Sequence, residues 1–319
     1  MTMIFTTLAA IAIVAQAPRP AARTESFTAS MAMQVALDRA GFSPGVIDGR
    51  PGTNTNRAQA AFRQQNGRDP DPFAEPLMEY TITTEDAAGP FVENIPTDLV
   101  EQSKLPALTY RSVAEMLAER FHTTPEVLRS LNPDATFATD TTIMVPNVEP
   151  LAMPTPPPPQ PKTTQAAAKA TGTAGTTGRA DLPEVVVTVS RALSAVTVTD
   201  ASGKTVLFAP VTTGSEHDPL PIGEWKVNGV ELNPKFRYNP DLFWDADPSH
   251  TKATIPSGPN GPVGLVWIDI SKEHYGLHGS PEPSQIGRTA SHGCVRLTNW
   301  DAIRLAKLVR PGTRVVFTE

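Results

Sequence analysis

The chain has 319 residues, a net charge of −6, 19% charged and 39% hydrophobic side chains, and 33 prolines. That length exceeds one small domain, and the acidic balance supplies no basic face, so nucleic acid is not an expected partner. One cysteine, Cys294, excludes an intrachain disulfide framework and any zinc site built from several thiolates. A lone cysteine is by default a small buried hydrophobe, so its neighbours must decide its role.

Residues 1–17 hold an apolar run from Ile4 to Val14, then Ala15-Gln16-Ala17. The run is too short to span a bilayer. It fits the apolar region and small-x-small cleavage site of a signal peptide, although Met1-Thr2-Met3 lacks the usual positive charge. Export to the periplasm or cell wall is therefore expected.

Residues 27–66 read as a small helical unit. Met33, Leu37 and Ala40 recur at helical spacing, a Gly/Asp/Pro turn follows, and a second helix is predicted from about Asn54 to Gln65, capped by Thr53 or Asn54. The pattern Gln34-x-x-Leu37-x-x-x-Gly41-Phe42, with Gly45-x-Ile47-Asp48-Gly49-x-x-Gly52-x-Asn54-Thr55, resembles the helical peptidoglycan-binding domain of wall hydrolases. Asp48 reads as a loop-shaping residue.

Residues 78–149 predict an amphipathic helix from Arg111 to Phe121 and a second from Pro125 to Leu131, with Thr124 as cap and Pro125 at the first position. A closing strand is expected at Thr142 to Pro146, with a first strand near Thr81. The order resembles a LysM glycan-binding module with an insertion; a plain helical spacer is the other reading. Residues 150–183 are rich in Pro, then Thr, Ala and Gly, without apolar period, and read as a linker. Such a tether implies that wall-binding and C-terminal parts search for substrate semi-independently.

Residues 184–319 alternate at period two in Val185 to Ser190, Ala195 to Thr199 and Thr205 to Ala209. Further strands are expected at Val263 to Ile270 and Val315 to Phe317, and one helix from Asn299 or Trp300 to Val309. The predicted fold is multidomain: a mostly antiparallel β catalytic domain, sandwich-like or barrel-like, with one late helix, plus small N-terminal helical and α+β modules.

The chemistry gathers in Tyr275-Gly276-Leu277-His278-Gly279-Ser280 and Ser291-His292-Gly293-Cys294-Val295-Arg296-Leu297. A thiol attacks as thiolate, and at its free pKa of roughly 8.5 little is ionised at neutral pH, so a nearby imidazole is the natural proton acceptor. His278 and His292 bracket Cys294. In extended backbone His292 and Cys294 point to one side; His278 would arrive from the preceding strand. His278, His292 and Cys294 could also offer three zinc ligands, but no HExxH accompanies them, and neither metal nor cofactor is expected. A papain-like or sortase-like protease shares the Cys/His logic on other folds. Residues 229–258, with Phe236, Tyr238, Phe243 and Trp244, read either as a lid over a donor peptide or as a surface loop folded on its own aromatics. His122, His217, His250 and His274 lie in no motif.

The His-Gly and Ser-His-Gly-Cys-Val-Arg elements, with Thr213-Gly214, Pro221-x-Gly223-x-Trp225 and Pro259 to Gly264, resemble the L,D-transpeptidase (YkuD-like) catalytic domain. The resemblance implies Cys294 as nucleophile and His278 as acid/base partner, oriented by the Gly279 carbonyl. It implies that Ser291, His292 and Gly293 shape the site, the Gly293 and Cys294 N–H groups acting as oxyanion donors. Arg296 either binds a substrate carboxylate or packs structurally, and Tyr238 and Trp244 are candidate substrate contacts. The implied partners are peptidoglycan stem peptides and glycan, with a second stem peptide, a protein amine or water as acceptor; a non-catalytic wall-binding protein is the remaining alternative.

Overall fold

A computed structural model describes residues 20–152 and 182–319. The predicted leader at 1–17 and most of the predicted linker lie outside the described residues. In chain order the elements are α1 (Pro20–Arg39), α2 (Thr53–Asn66), β1 (Leu77–Thr81), α3 (Thr84–Ala88), α4 (Leu99–Gln102), α5 (Val113–Arg120), α6 (Pro125–Leu131) and β2 (Thr142–Pro146). The C-terminal part follows with β3 (Val185–Ser190), β4 (Ala195–Asp200), β5 (Thr205–Pro210), β6 (Gly223–Leu232), β7 (Phe236–Tyr238), β8 (Ala253–Ile255), β9 (Val266–Ile270), β10 (Gly276–His278), β11 (Val295–Arg296), α7 (Asn299–Leu308) and β12 (Arg314–Thr318).

Eight C-terminal strands form one sheet in the order β11-β10-β9-β6-β12-β3-β4-β5. The meander β3-β4-β5 is antiparallel, and Val185, Val187 and Val189 face the core while their neighbours are half-buried, as the alternation predicts. Two pairs are parallel, β12 with β3 and β10 with β11. Parallel neighbours cannot be joined by a tight hairpin. The crossover between β11 and β12 is α7, whose Trp300, Ala302, Leu305 and Ala306 pack into the core with Val187, Val198, Leu265 and Val315. Thr298 caps α7, accepting from the Asp301 N–H at 3.2 Å and donating to Asp301 Oδ2 at 2.8 Å.

In the N-terminal part β1 and β2 pair antiparallel around α5 and α6, giving the predicted strand-helix-helix-strand order. Ser112 and Thr124 cap the two helices, each accepting from the third helical N–H, and Pro125 opens α6. The helical unit is not a separate body: Met31, Val35 and Ile47 share one core with Leu117, Phe121, Leu128, Ile143 and Val145.

The expectation of semi-independent search is also overturned. Arg304 of α7 makes a two-pronged ion pair with Asp38 of α1, at 2.7 and 2.9 Å, and Ser43 donates to Asp301 at 2.8 Å. The His122 ring stacks on Trp300, centroids 5.2 Å apart, and His122 Nδ1 lies 3.2 Å from Asp38. A backbone bridge joins Phe42 to Phe208 of β5. Buried polar groups without partners are costly, so a seam carrying this many matched ones holds the two parts together.

Candidate active site

The register of β10 and β11 assembles the site. Leu277 lies opposite Val295 and His278 opposite Arg296. Leu277 and Val295 both enter the core, so His278 and Arg296 fall on the other face of the pair, and Cys294 directly precedes β11. The His278 ring is 4% exposed and stacks on Trp267, its antiparallel partner on β9, with centroids 5.5 Å apart. Its Nδ1 lies 2.7 Å from the Gly279 carbonyl oxygen. A carbonyl can only accept, so Nδ1 carries the proton and Nε2 of the neutral ring is left as the acceptor. Burial, then the charge of Arg296, pulls the His278 pKa down to about 4 against the Gly279 bond, so the ring is neutral at ordinary pH.

Cys294 is partly exposed. Its Sγ donates to the His274 carbonyl oxygen at 3.7 Å, and the Gly276 N–H also faces the sulfur. Burial pushes the thiol up, outweighing Gly276 and the Arg296 charge, so the resting pair is neutral thiol and neutral imidazole rather than an ion pair. Among the described residues no hydrogen bond joins Cys294 to His278. Both have Arg296 as a charged neighbour, and the thiol rests against main chain.

Gly293 has φ +101, a conformation that disfavours any side chain, and a Cβ there would come within 2.7 Å of the Tyr275 ring. This bend breaks the extended geometry that would put His292 and Cys294 on one side. His292 turns instead to Asp245, Nε2 to Oδ1 2.8 Å, and lies edge-on to Phe243. With His278 fixed on Gly279 and His292 on Asp245, the three residues of the rival zinc reading do not converge among the described residues. Ser291 donates to the Cys294 carbonyl at 2.6 Å and holds the turn. The Arg296 guanidinium is half-buried and has no hydrogen bond or ion pair among the described residues.

The predicted substrate contacts divide. Trp244 is 60% exposed, stacked on His217 at 4.3 Å and near His292. Tyr238 is 3% exposed, packed with Leu108 and Ile255, its hydroxyl 2.9 Å from His250 Nδ1. It is a packing residue and no substrate contact. His250 Nε2 in turn reaches Asp98 at 2.8 Å, so residues 229–258 are pinned to the N-terminal part rather than free as a lid. Alternation along β9 put Trp267 on the face of His278, a signal available in the sequence; Tyr275 opened the His-Gly run, and Asp245 had no signal.

Residues 184–317 match the YkuD family model, described as the L,D-transpeptidase catalytic domain. The "Putative L,D-transpeptidase YkuD" of Bacillus licheniformis is 50% identical over 60 residues, 19% of this chain and 36% of that protein. The "Putative L,D-transpeptidase YqjB" of Bacillus subtilis is 30% identical over 115 residues, 34% of this chain and 57% of that one. The "Probable L,D-transpeptidase YbiS" of Escherichia coli K12 is 33% identical over 120 residues, 36% and 38% respectively. The chain thus spans less than two thirds of the length of each of these relatives. Over residues 184–317, the C-terminal domain of this chain is thus similar to the L,D-transpeptidase catalytic domains of the YkuD family.

Proposed function

We propose that the protein acts outside the cytoplasm on peptidoglycan stem peptides, by a two-step acyl transfer through a Cys294 thioester. The observation that carries this is Arg296, opposite His278 in the ladder, acting on both His278 and Cys294, with the His278 proton fixed on Nδ1 and Nε2 left to accept. Rotation of the thiol off the His274 carbonyl brings its proton to Nε2. The sulfur then bonds the carbonyl carbon of the third stem residue. The C–N bond to the departing D-Ala breaks, and the imidazolium returns the proton to that amine, leaving a thioester. Backbone N–H groups at the Gly293 bend are suited to hold the oxyanion. An acceptor amine attacks the thioester, loses a proton to His278, and the thiol is restored.

A stem-peptide amine gives a 3→3 cross-link, a protein amine anchors a protein to the wall, and water gives an L,D-carboxypeptidase. The uncommitted Arg296 guanidinium suits a substrate carboxylate. Trp244 offers an exposed ring at the rim. The N-terminal part, by its resemblance to wall-binding modules, is proposed to hold glycan.

Identifying the muropeptides released from sacculi treated with the purified protein tests this reading. New cross-linked dimers or trimmed tripeptides are expected, and Cys294→Ser should remove them by about a thousandfold or more. Unchanged sacculi from folded protein would overturn it. Because the His278 pKa is depressed, the acid limb of kcat/KM should fall near pH 4 to 5 and not near the ordinary histidine value of about 6.5. A limb at 6.5 would show a different proton acceptor.

A further inference from the structure

The N-terminal part reaches the reaction centre through one buried contact. Asn299, first residue of α7, is fully buried; its Nδ2 donates to Glu119 of α5, 3.1 Å from both carboxylate oxygens, and to the Pro259 carbonyl at 3.2 Å. Tyr110 donates to Glu119 Oε1 at 2.9 Å. The opposite end of the Asn299 amide, Oδ1, accepts from the Leu265 N–H at 2.9 Å. This oxygen occupies the notch left by two glycines: a Cβ on Gly264 or Gly279 would come within 2.0 or 2.1 Å of it. Gly279 is the residue whose carbonyl holds His278 Nδ1. The next residue after Leu265, Val266, accepts the Gly279 N–H at 3.1 Å.

We infer that Glu119 is a positioning residue for catalysis: it fixes the Asn299 amide, which seats the Gly279 peptide and so aims His278 at Cys294. An amide has two ends: the Leu265 N–H selects its oxygen, and Glu119 with Pro259 anchors the nitrogen end so that the oxygen is held against Leu265 and Gly279. The wall-binding part of the chain therefore completes the support of the active site. The Gly279 carbonyl directly behind the ring sets its tautomer, and the groups that seat that peptide set its orientation. The inference rests on the proposed Cys294/His278 chemistry.

The sole cysteine makes the test direct, because every thiol alkylation on the full chain reports on Cys294. The rate of iodoacetamide modification is followed against pH for the native protein and for Glu119→Ala, Glu119→Asp and Glu119→Gln, with a thermal melt of each. Ser43→Ala, which loosens the same seam without reaching Asn299, sets the effect of destabilisation alone. His278→Gln tests the underlying chemistry separately. Glu119→Ala should slow alkylation at neutral pH about tenfold, and transfer should lose kcat with KM unchanged, because Glu119 does not touch substrate. Glu119→Gln, which keeps the Oε1 acceptor, should stay within about twofold. Glu119→Asp, which keeps the charge but withdraws it, should fall between them, and it carries the test if the alanine variant does not fold. A folded Glu119→Ala no slower than Ser43→Ala, or an aspartate variant as fast as the native chain, overturns the inference. A His278→Gln variant alkylated at the native rate overturns the Cys/His chemistry itself.

Discussion

The two sides of α7 are held by different physics. One side enters the sheet through Trp300, Ala302, Leu305 and Ala306, an apolar contact that depends on shape and volume. The other meets the N-terminal part through Asn299, Asp301 and Arg304, each matched to a named polar partner. Apolar burial is non-directional and is read from spacing alone. A buried polar seam is directional: each partner is costly to leave unmatched, and a cut on one side strands the other.

At the centre of that seam Asp38 is fully enclosed by His122 and Arg304. Burial works against its charge, but His122 and the Arg304 guanidinium outweigh it and hold the carboxyl well below the usual range. Removing it leaves a largely buried guanidinium with only the 3.6 Å contact to Asp301. Asp38→Ala should cost about 3–5 kcal/mol, and the N-terminal part should separate before the sheet melts. Urea unfolding followed at Trp300, which stacks on His122, would then show two transitions in place of one. A single unshifted transition would show that apolar contacts alone hold the parts together.

Glu119 gives the seam a pH dependence of opposite sign to that of Asp38. Burial raises its pKa to about 7, against the bonds from Asn299 and Tyr110, with Glu115 adding to the rise. A carboxyl raised in the folded state binds more protons folded than unfolded, so its contribution is full below about pH 4.5 and is lost as pH rises through 7. Glu119→Gln has no such group. The stability of the native chain relative to Glu119→Gln should therefore fall between pH 4.5 and 7, by at most about 3 kcal/mol. A constant difference from paired denaturation curves across that range would refute the assignment. The Asp38 contribution runs the other way, complete above about pH 4 and lost as pH falls further.

The smallest effect is expected where neither kind of contact operates. Trp244 is mostly exposed, its partners being His217 and, more distantly, His292. Trp244→Ala should change stability by no more than about 0.5 kcal/mol, while KM for stem peptide rises. A large loss of stability would make it part of the fold and not of the rim.

Much of this was legible in advance, for reasons that can be named. Val185 to Ser190 declares a strand because side chains alternate at period two, and Thr124-Pro125 declares a helix start because Pro fits where no N–H is needed. The His-Gly and Ser-His-Gly-Cys-Val-Arg runs declared the chemistry because its residues are local. The expected alignment of His292 with Cys294 failed because one glycine at φ +101 reverses the direction in which the next side chain leaves. Tyr238 was misread because an aromatic in a polar loop looks exposed until the segment it packs on, around Leu108, is known.

The sequence by itself determined the alternating strands, the capped helices and the two short runs that carry His278 and Cys294, each set by residues a few positions apart. Only the tertiary structure decided what crosses long separations: the β10–β11 register, the seam between Asp38 and Arg304, 266 residues apart, and the contact of Glu119 with Asn299, 180 apart. Such pairings follow from directional bonds between particular buried groups. No periodicity records which distant donor meets which acceptor, so they become readable only once the chain has folded.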